Sequence, residues 1–350
     1  MTRKKFEKFG KAKKISVTTG NGVKTRESSE SKKELELLHA LPPYNFAGLE
    51  EEHSNFLKAR FVVLPIPFDS TTSFKTGARE APHAIINASR FLELYDHDLD
   101  IQAFKAGIHT TRELAPARGN VTETLRRTRQ TVGDIIDAKK TPIILGGDHS
   151  LAIACIQAFA EREKNFSVLA LDAHADCWPE LEGTKYSHAS VSARIADLGR
   201  EIAFKKIQET IVGVRSISRD EKKFVEKNEI KVFHASNFNQ KKIDDVINSL
   251  KEKKVYLTVD FDVLDPSIMP SVGTPEPNGL DWKQTTTLIE TLARKKQVIG
   301  ADFCELTPIA GFEAPNFLAA KLVYKTISAI AKKQDYETRK KHDYETKRRL

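Results

Sequence analysis

Asp172, His174 and Asp176 alternate along Ala170-Leu171-Asp172-Ala173-His174-Ala175-Asp176, directly after the apolar run Phe166 to Leu171. Side chains two residues apart share one face of an extended chain, so a strand ending at Leu171 delivers all three groups to one sheet edge. Two carboxylates and an imidazole at that spacing suit a hard-to-borderline divalent cation. Two further clusters have the same character. Gly146-Gly147-Asp148-His149-Ser150 follows the strand-like Pro142–Leu145, and Asp260-Phe261-Asp262-Val263-Leu264-Asp265-Pro266 follows Val255–Val259. Taken singly, each is an ordinary polar strand end or tight turn. Three of them at the carboxyl ends of strands, where open α/β sheets bind their ligands, point to one site.

Bringing His149, Asp172, His174, Asp176, Asp260 and Asp262 together concentrates four carboxylates that cannot all ionise at close range without cations. Two divalent ions about 3.5–4 Å apart, sharing bridging carboxylates, resolve the repulsion and lower the pKa of a bound water toward roughly 7. A donor set of four carboxylates and two imidazoles favours Mn²⁺ over the N/S-loving, four-coordinate Zn²⁺. Asp148 and Asp265 read as supporting or turn residues. Cys177 and Cys304, which flank the clusters, read as packing residues and not as ligands.

The elements that must position these groups follow a regular beat. Apolar strand-like runs at 61–66, 142–145, 166–171, 211–214, 231–233, 255–259 and 298–300 alternate with helical spacings at 121–139, 151–162, 191–198, 220–227, 243–251, 282–292 and 317–331. A further helix is expected to start near Pro82 and end near Tyr95. Continuous apolar strands between helices mean a mostly parallel sheet covered on both faces, an α/β sandwich of three layers. No internal linker interrupts the span, so the organisation expected is a disordered basic extension over 1–40, one catalytic domain over 41–331, and a basic tail over 332–350. That tail carries a twofold repeat, Asp335-Tyr336-Glu337-Thr338 and Asp343-Tyr344-Glu345-Thr346, read as a helical extension.

Composition narrows the setting. Residues 1–26 carry nine Lys/Arg against the single acid Glu7, and 332–350 carry eight against four, so the net charge of +8 resides in the tails and the span between them is −4. Such tails read as solvated extensions, and nucleic acid is not expected as a partner. No apolar run approaches the roughly 18 residues of a membrane span, and the Lys-rich start lacks the apolar segment of a secretory signal. Three cysteines argue against a disulfide framework and for a reducing, cytoplasmic compartment.

The three motifs, in this order and over about 61–331, resemble the signatures of the ureohydrolases, the arginase/agmatinase family. The resemblance implies an arginase-like sandwich fold and a binuclear Mn²⁺ site. In it, His149 and Asp176 hold one ion, His174 and Asp262 the other, and Asp172 and Asp260 bridge. It also implies attack of a metal-bridging hydroxide on a guanidinium carbon, with release of urea and an amine. The catalytic set it implies is Glu305 to pair with the guanidinium, His188 to ferry a proton to the leaving amine, and Asp176, which doubles as a ligand. Segments 71–79, 185–190 and 273–280 look most like agmatinases, although His83 stands where an arginine is usual. The expected reaction is therefore agmatine to putrescine and urea, within polyamine biosynthesis. Arginase, or a ureohydrolase for aminopropylagmatine, a guanidino acid or formiminoglutamate, is the alternative. The acids Glu180 and Glu182 in the loop 177–183 are expected to line the pocket and receive a second positive charge. The family precedent implies a homo-oligomer, a trimer or hexamer.

Overall fold

The computed structural model describes residues 40–201 and 206–349. All but the last residue of the expected N-terminal extension lies outside the described residues. Among the described residues eight strands form one sheet: β1 (Phe61–Pro65), β2 (Ile108–Thr110), β3 (Thr141–Leu145), β4 (Asn165–Leu171), β5 (Lys206–Val214), β6 (Lys231–His234), β7 (Lys254–Asp260) and β8 (Gln297–Cys304). Their order is β2-β1-β3-β8-β7-β4-β5-β6, and every pair is parallel. The helices are α1 (Glu51–Ser54), α2 (Ala81–Ser89), α3 (Val121–Asp137), α4 (Leu151–Arg162), α5 (Val191–Glu201), α6 (Arg219–Lys227), α7 (Gln240–Ser249), α8 (Trp282–Lys295) and α9 (Ala314–Arg349).

The period of two in the strands sorts the core into two layers. Phe61, Val63, Ile143, Leu145, Leu257 and Val259 pack against α2, α7, α8 and α9, whereas Val62, Leu64, Ile144, Val168 and Tyr256 pack against α3, α4 and α5. This is the three-layer sandwich expected, here with an all-parallel sheet among the described strands. Several boundaries differ from the sequence reading. Helix α2 stops at Ser89, where the hydroxyl donates back to the Ile86 carbonyl and accepts the buried Ala47 N–H. Strand β2, three residues at the sheet edge, was not anticipated. Helix α9 runs on past Ala331 through the C-terminal repeat, in line with the helical extension read from the sequence.

The chain reaches β4 from β3 by crossing β8 and β7, so β3, β8, β7 and β4 stand side by side at the centre. Such a reversal of strand order opens a crevice at the carboxyl ends of the strands. Gly147 closes one wall of it. A Cβ there would lie 1.7 Å from the Phe68 carbonyl oxygen, and the close approach lets Asp148 N–H donate to that oxygen at 2.7 Å. Among the described residues no helix is long and apolar enough to cross a membrane.

Candidate metal centre

The four central strands end where the chemistry begins. His149 stands in the turn between β3 and α4, Asp172, His174 and Asp176 just past β4, Asp260 at the last position of β7, and Asp262 in the 3₁₀ turn after it. Glu305 follows β8 directly. The structure brings all seven to one place.

His149, 1 % exposed, turns Nδ1 into the acid cluster, 3.1 Å from Asp172 Oδ2, 3.1 Å from Asp176 Oδ2 and 3.5 Å from Asp260 Oδ2. His174 likewise points Nδ1 inward, 2.9 Å from Asp262 Oδ2 and 3.6 Å from Asp172 Oδ1. Two groups of three donors result, His149/Asp172/Asp176 and Asp172/His174/Asp262, each with its ligand atoms within 4.8 Å of one another. Asp172 belongs to both. Asp260 joins neither group, although it borders the first. Backbone N–H groups fix the carboxylates from behind: Ala173 donates to Asp262 Oδ1 (2.9 Å), His174 to Asp172 Oδ1 (2.6 Å) and Asp262 to Asp260 Oδ1 (2.8 Å).

The electrostatics resist uncompensated negative charge in the cluster. Burial, reinforced by the charge of Asp172, pushes Asp176 up to about 7, and burial with Asp262 beside it drives Asp260 well above the usual carboxylate range. Burial opposes the charged form of His149, but hydrogen bonds to Asp172 and Asp176 outweigh it and raise the imidazole well above its ordinary value. Without cations, protons on the imidazoles and acids take the place of positive charge, which is the donor chemistry that divalent ions replace. A buried set of carboxylates and imidazoles with one shared aspartate fits two hard-to-borderline dications.

Two site residues adopt the left-handed backbone region that favours glycine, Asp176 (φ 49°) and Glu305 (φ 68°). Side chains held there mark positions where the surroundings impose the conformation. Glu305 Oε1 accepts the His149 N–H at 2.7 Å, which fixes its carboxylate at the floor of the cleft, and burial followed by the charge of Asp148 raises its pKa well above the ordinary value. His188 begins a 3₁₀ turn on the cleft wall, with its N–H donating to Thr71 Oγ1 and its Nε2 3.3 Å from Ser73 Oγ. Burial lowers its pKa, so the ring is neutral near pH 7.

Asp148 and Asp265 hold loops, as expected. Asp148 accepts from Thr71 N–H and from Ser150, and Asp265 from Ser267 and Gly279 N–H. The free thiols Cys155, Cys177 and Cys304 are buried.

The cleft above has a volume of about 400 Å³ and a rim that includes Phe74, Lys75 and Trp178. The acid on its wall differs from the expected pair: Glu180 and Glu182 are exposed and do not line it, whereas Glu221, at the start of α6, does. Glu221 accepts the Cys177 N–H through Oε1 and the Ser218 N–H through Oε2. Its sequence signal, Ser218-x-x-Glu221, is that of a helix capping box, which masked its place at the site. Thr258 and Asp302, beneath His149, were also missed as site residues.

Comparison with known proteins accords with this arrangement. The Arginase family profile matches residues 59–328. The chain is 40% identical over 279 residues to an N(1)-aminopropylagmatine ureohydrolase of Thermus thermophilus, covering 79% of this chain and 92% of that protein. It is 33% identical over 280 residues to an agmatinase of Pyrococcus horikoshii, covering 78% and 93%. The crystal structure of an agmatine ureohydrolase of Thermoplasma volcanium superposes with a TM-score of 0.75 at 30% identity, covering 84% of this chain and 96% of that one. Family profile, relatives and superposition converge on one assignment: the chain is an enzyme of the arginase family, a ureohydrolase acting on amidino C–N bonds.

Proposed function

We propose that the chain hydrolyses the guanidino group of a polyamine-like substrate to urea and the free amine, with N(1)-aminopropylagmatine ahead of agmatine. The observation that carries the reading is a pair of three-donor groups sharing Asp172 at the floor of a cleft whose wall acid is Glu221. Relatives named N(1)-aminopropylagmatine ureohydrolase, at 33–40% identity, support the longer substrate. The agmatinase relatives and the agmatine ureohydrolase superposition favour agmatine as the second reading.

His149, Asp172 and Asp176 would hold one cation and His174, Asp262 and Asp172 the other, with Asp260 completing the set. Two divalent ions, Mn²⁺ in this reading, would neutralise the acids, polarise the guanidine and supply an activated water at neutral pH. The protein's own groups do the rest. Glu305, fixed by the His149 N–H, pairs with the guanidinium and orients its carbon toward the acid floor. Asp176 holds its share of the cation field from a backbone conformation that aims its carboxylate inward. His188, whose Nε2 stands 3.3 Å from Ser73 Oγ, would take up a proton released by the attacking water and pass it on, as imidazolium, to the departing amine nitrogen, returning to the neutral ring. Glu221 attracts the ammonium groups of the tail from the cleft wall.

The three buried free thiols support a reducing cytoplasmic setting. The family resemblance, together with exposed aromatics such as Tyr44 and Phe91, supports a homo-oligomer. The test is urea release by Mn²⁺-loaded protein from N(1)-aminopropylagmatine, agmatine, arginine and formiminoglutamate, compared through kcat/KM. The two amines should lead in that order. Arginine or formiminoglutamate in front, or no urea from either amine, would overturn the assignment.

A further inference from the structure

A line of buried side chains beneath the cleft ends on His149. Thr258 of β7 and Asp302 of β8 are register partners on adjacent strands, and both are fully buried. Asp302 is held by donors: Tyr256 Oη reaches Oδ2 at 2.7 Å, Thr258 Oγ1 reaches Oδ1 at 2.7 Å, and Cys304 Sγ lies 3.5 Å from Oδ1. On its other side Thr258 Oγ1 stands 2.8 Å from His149 Nε2.

The proton count along this line has one solution. A threonine hydroxyl has a single proton to give, and a carboxylate surrounded by hydroxyl and thiol donors takes it. Thr258 Oγ1 can then only accept from His149, so Nε2 carries the hydrogen. In the neutral imidazole that leaves the lone pair on Nδ1, the atom facing Asp172 and Asp176. We infer that Asp302, acting through Thr258, fixes the Nε2–H tautomer of His149 and thereby commits Nδ1 to holding a cation.

This inference rests on the two-cation reading above and adds positioning residues to it. Outer partners of this kind orient a ligand histidine and raise its basicity. The effect is one-sided. His174, the other imidazole, is 26% exposed at its side chain, and its Nε2 has Glu276 Oε1 4.0 Å away in place of a buried relay. Loss of the Thr258 hydroxyl should therefore weaken one ion and spare the other.

Equilibrium dialysis with metal counting tests this without catalysis. Thr258→Val keeps the shape and removes the hydroxyl, Thr258→Ala removes it without placing a methyl against Asp302, and Thr258→Ser restores it. Tyr256→Phe disturbs the same carboxylate but leaves the relay intact. For one of the two Mn²⁺ ions, Thr258→Val and Thr258→Ala should lose about ten- to a hundredfold in affinity, with Thr258→Ser and Tyr256→Phe within about threefold of wild type. Should Thr258→Val fail to fold, the Ala and Ser variants carry the comparison. Both ions retained at wild-type affinity without the hydroxyl would overturn the inference, as would equal weakening of both ions or an equal loss in Tyr256→Phe. A wild-type protein binding fewer than two ions would instead refute the two-cation reading itself.

Discussion

Asp176→Asn should make the metal-free protein more stable while weakening its hold on metal. The wild-type carboxyl is buried among Asp172 and other acids, and its pKa rises from the ordinary 3.8 to about 7. A carboxyl raised in the folded state destabilises the fold wherever the unfolded chain has released its proton and the folded one resists doing so. Stability therefore falls as pH rises from about 4 to about 7, by about 1.4 kcal/mol per pH unit from this group. At pH 8 the whole penalty, about 4 kcal/mol, is present, and at pH 5 only about 1.5 kcal/mol of it. Asparagine copies the shape of the protonated acid and cannot ionise. Urea denaturation in the presence of a chelator should show the variant ahead of wild type by up to about 4 kcal/mol at pH 8, with the gap shrinking toward pH 5. Mn²⁺ at a hundred times Kd should narrow the gap at pH 8, because wild type then gains about 2.7 kcal/mol at the site that the variant has weakened. A variant no more stable than wild type at pH 8, or a gap that ignores pH, would refute the account of the acid cluster.

Other perturbations separate the roles. His188→Asn should lower kcat by about 10²–10⁴-fold, as measured by urea release, with both ions still bound on metal counting. Gly147→Ala places a Cβ 1.7 Å from the Phe68 carbonyl oxygen and should displace the His149 turn, read as loss of soluble protein or of bound metal. Lys325, 4% exposed, sits 2.8 Å from Asp96, 2.8 Å from Asp98 and 2.9 Å from Glu290, so Lys325→Met strands Asp96 in the interior. Chemical denaturation should show a loss of about 3–5 kcal/mol for it, with the KM of the folded enzyme unchanged.

Much of the candidate site was legible because its carboxylates and imidazoles cluster in sequence. Strands bring chemistry to their carboxyl ends, so Asp172, His174 and Asp176 announce themselves as polar residues breaking an apolar run, as do Asp260 and Asp262. The layers were legible for the same reason, through uninterrupted apolar strands between helical spacings. What stayed hidden depends on contacts across the sheet. Thr258 lies inside β7 and reads as an ordinary strand residue; only the register opposite Asp302 reveals a relay to His149. Glu221 reads as a helix cap, and the turn of the chain at Cys177 is what brings it to the cleft in place of Glu180 and Glu182. The left-handed backbone at Asp176 and Glu305 has no signature in residue type, since neither is glycine.

The central claim is a centre that works only with two cations, and a stepwise Mn²⁺ titration of metal-free protein against urea release tests it most directly. With N(1)-aminopropylagmatine or agmatine as substrate, the rate should stay low through the first equivalent and rise as the second binds, because Asp172 joins two ligand groups into one site. Full activity reached at one equivalent would contradict the account.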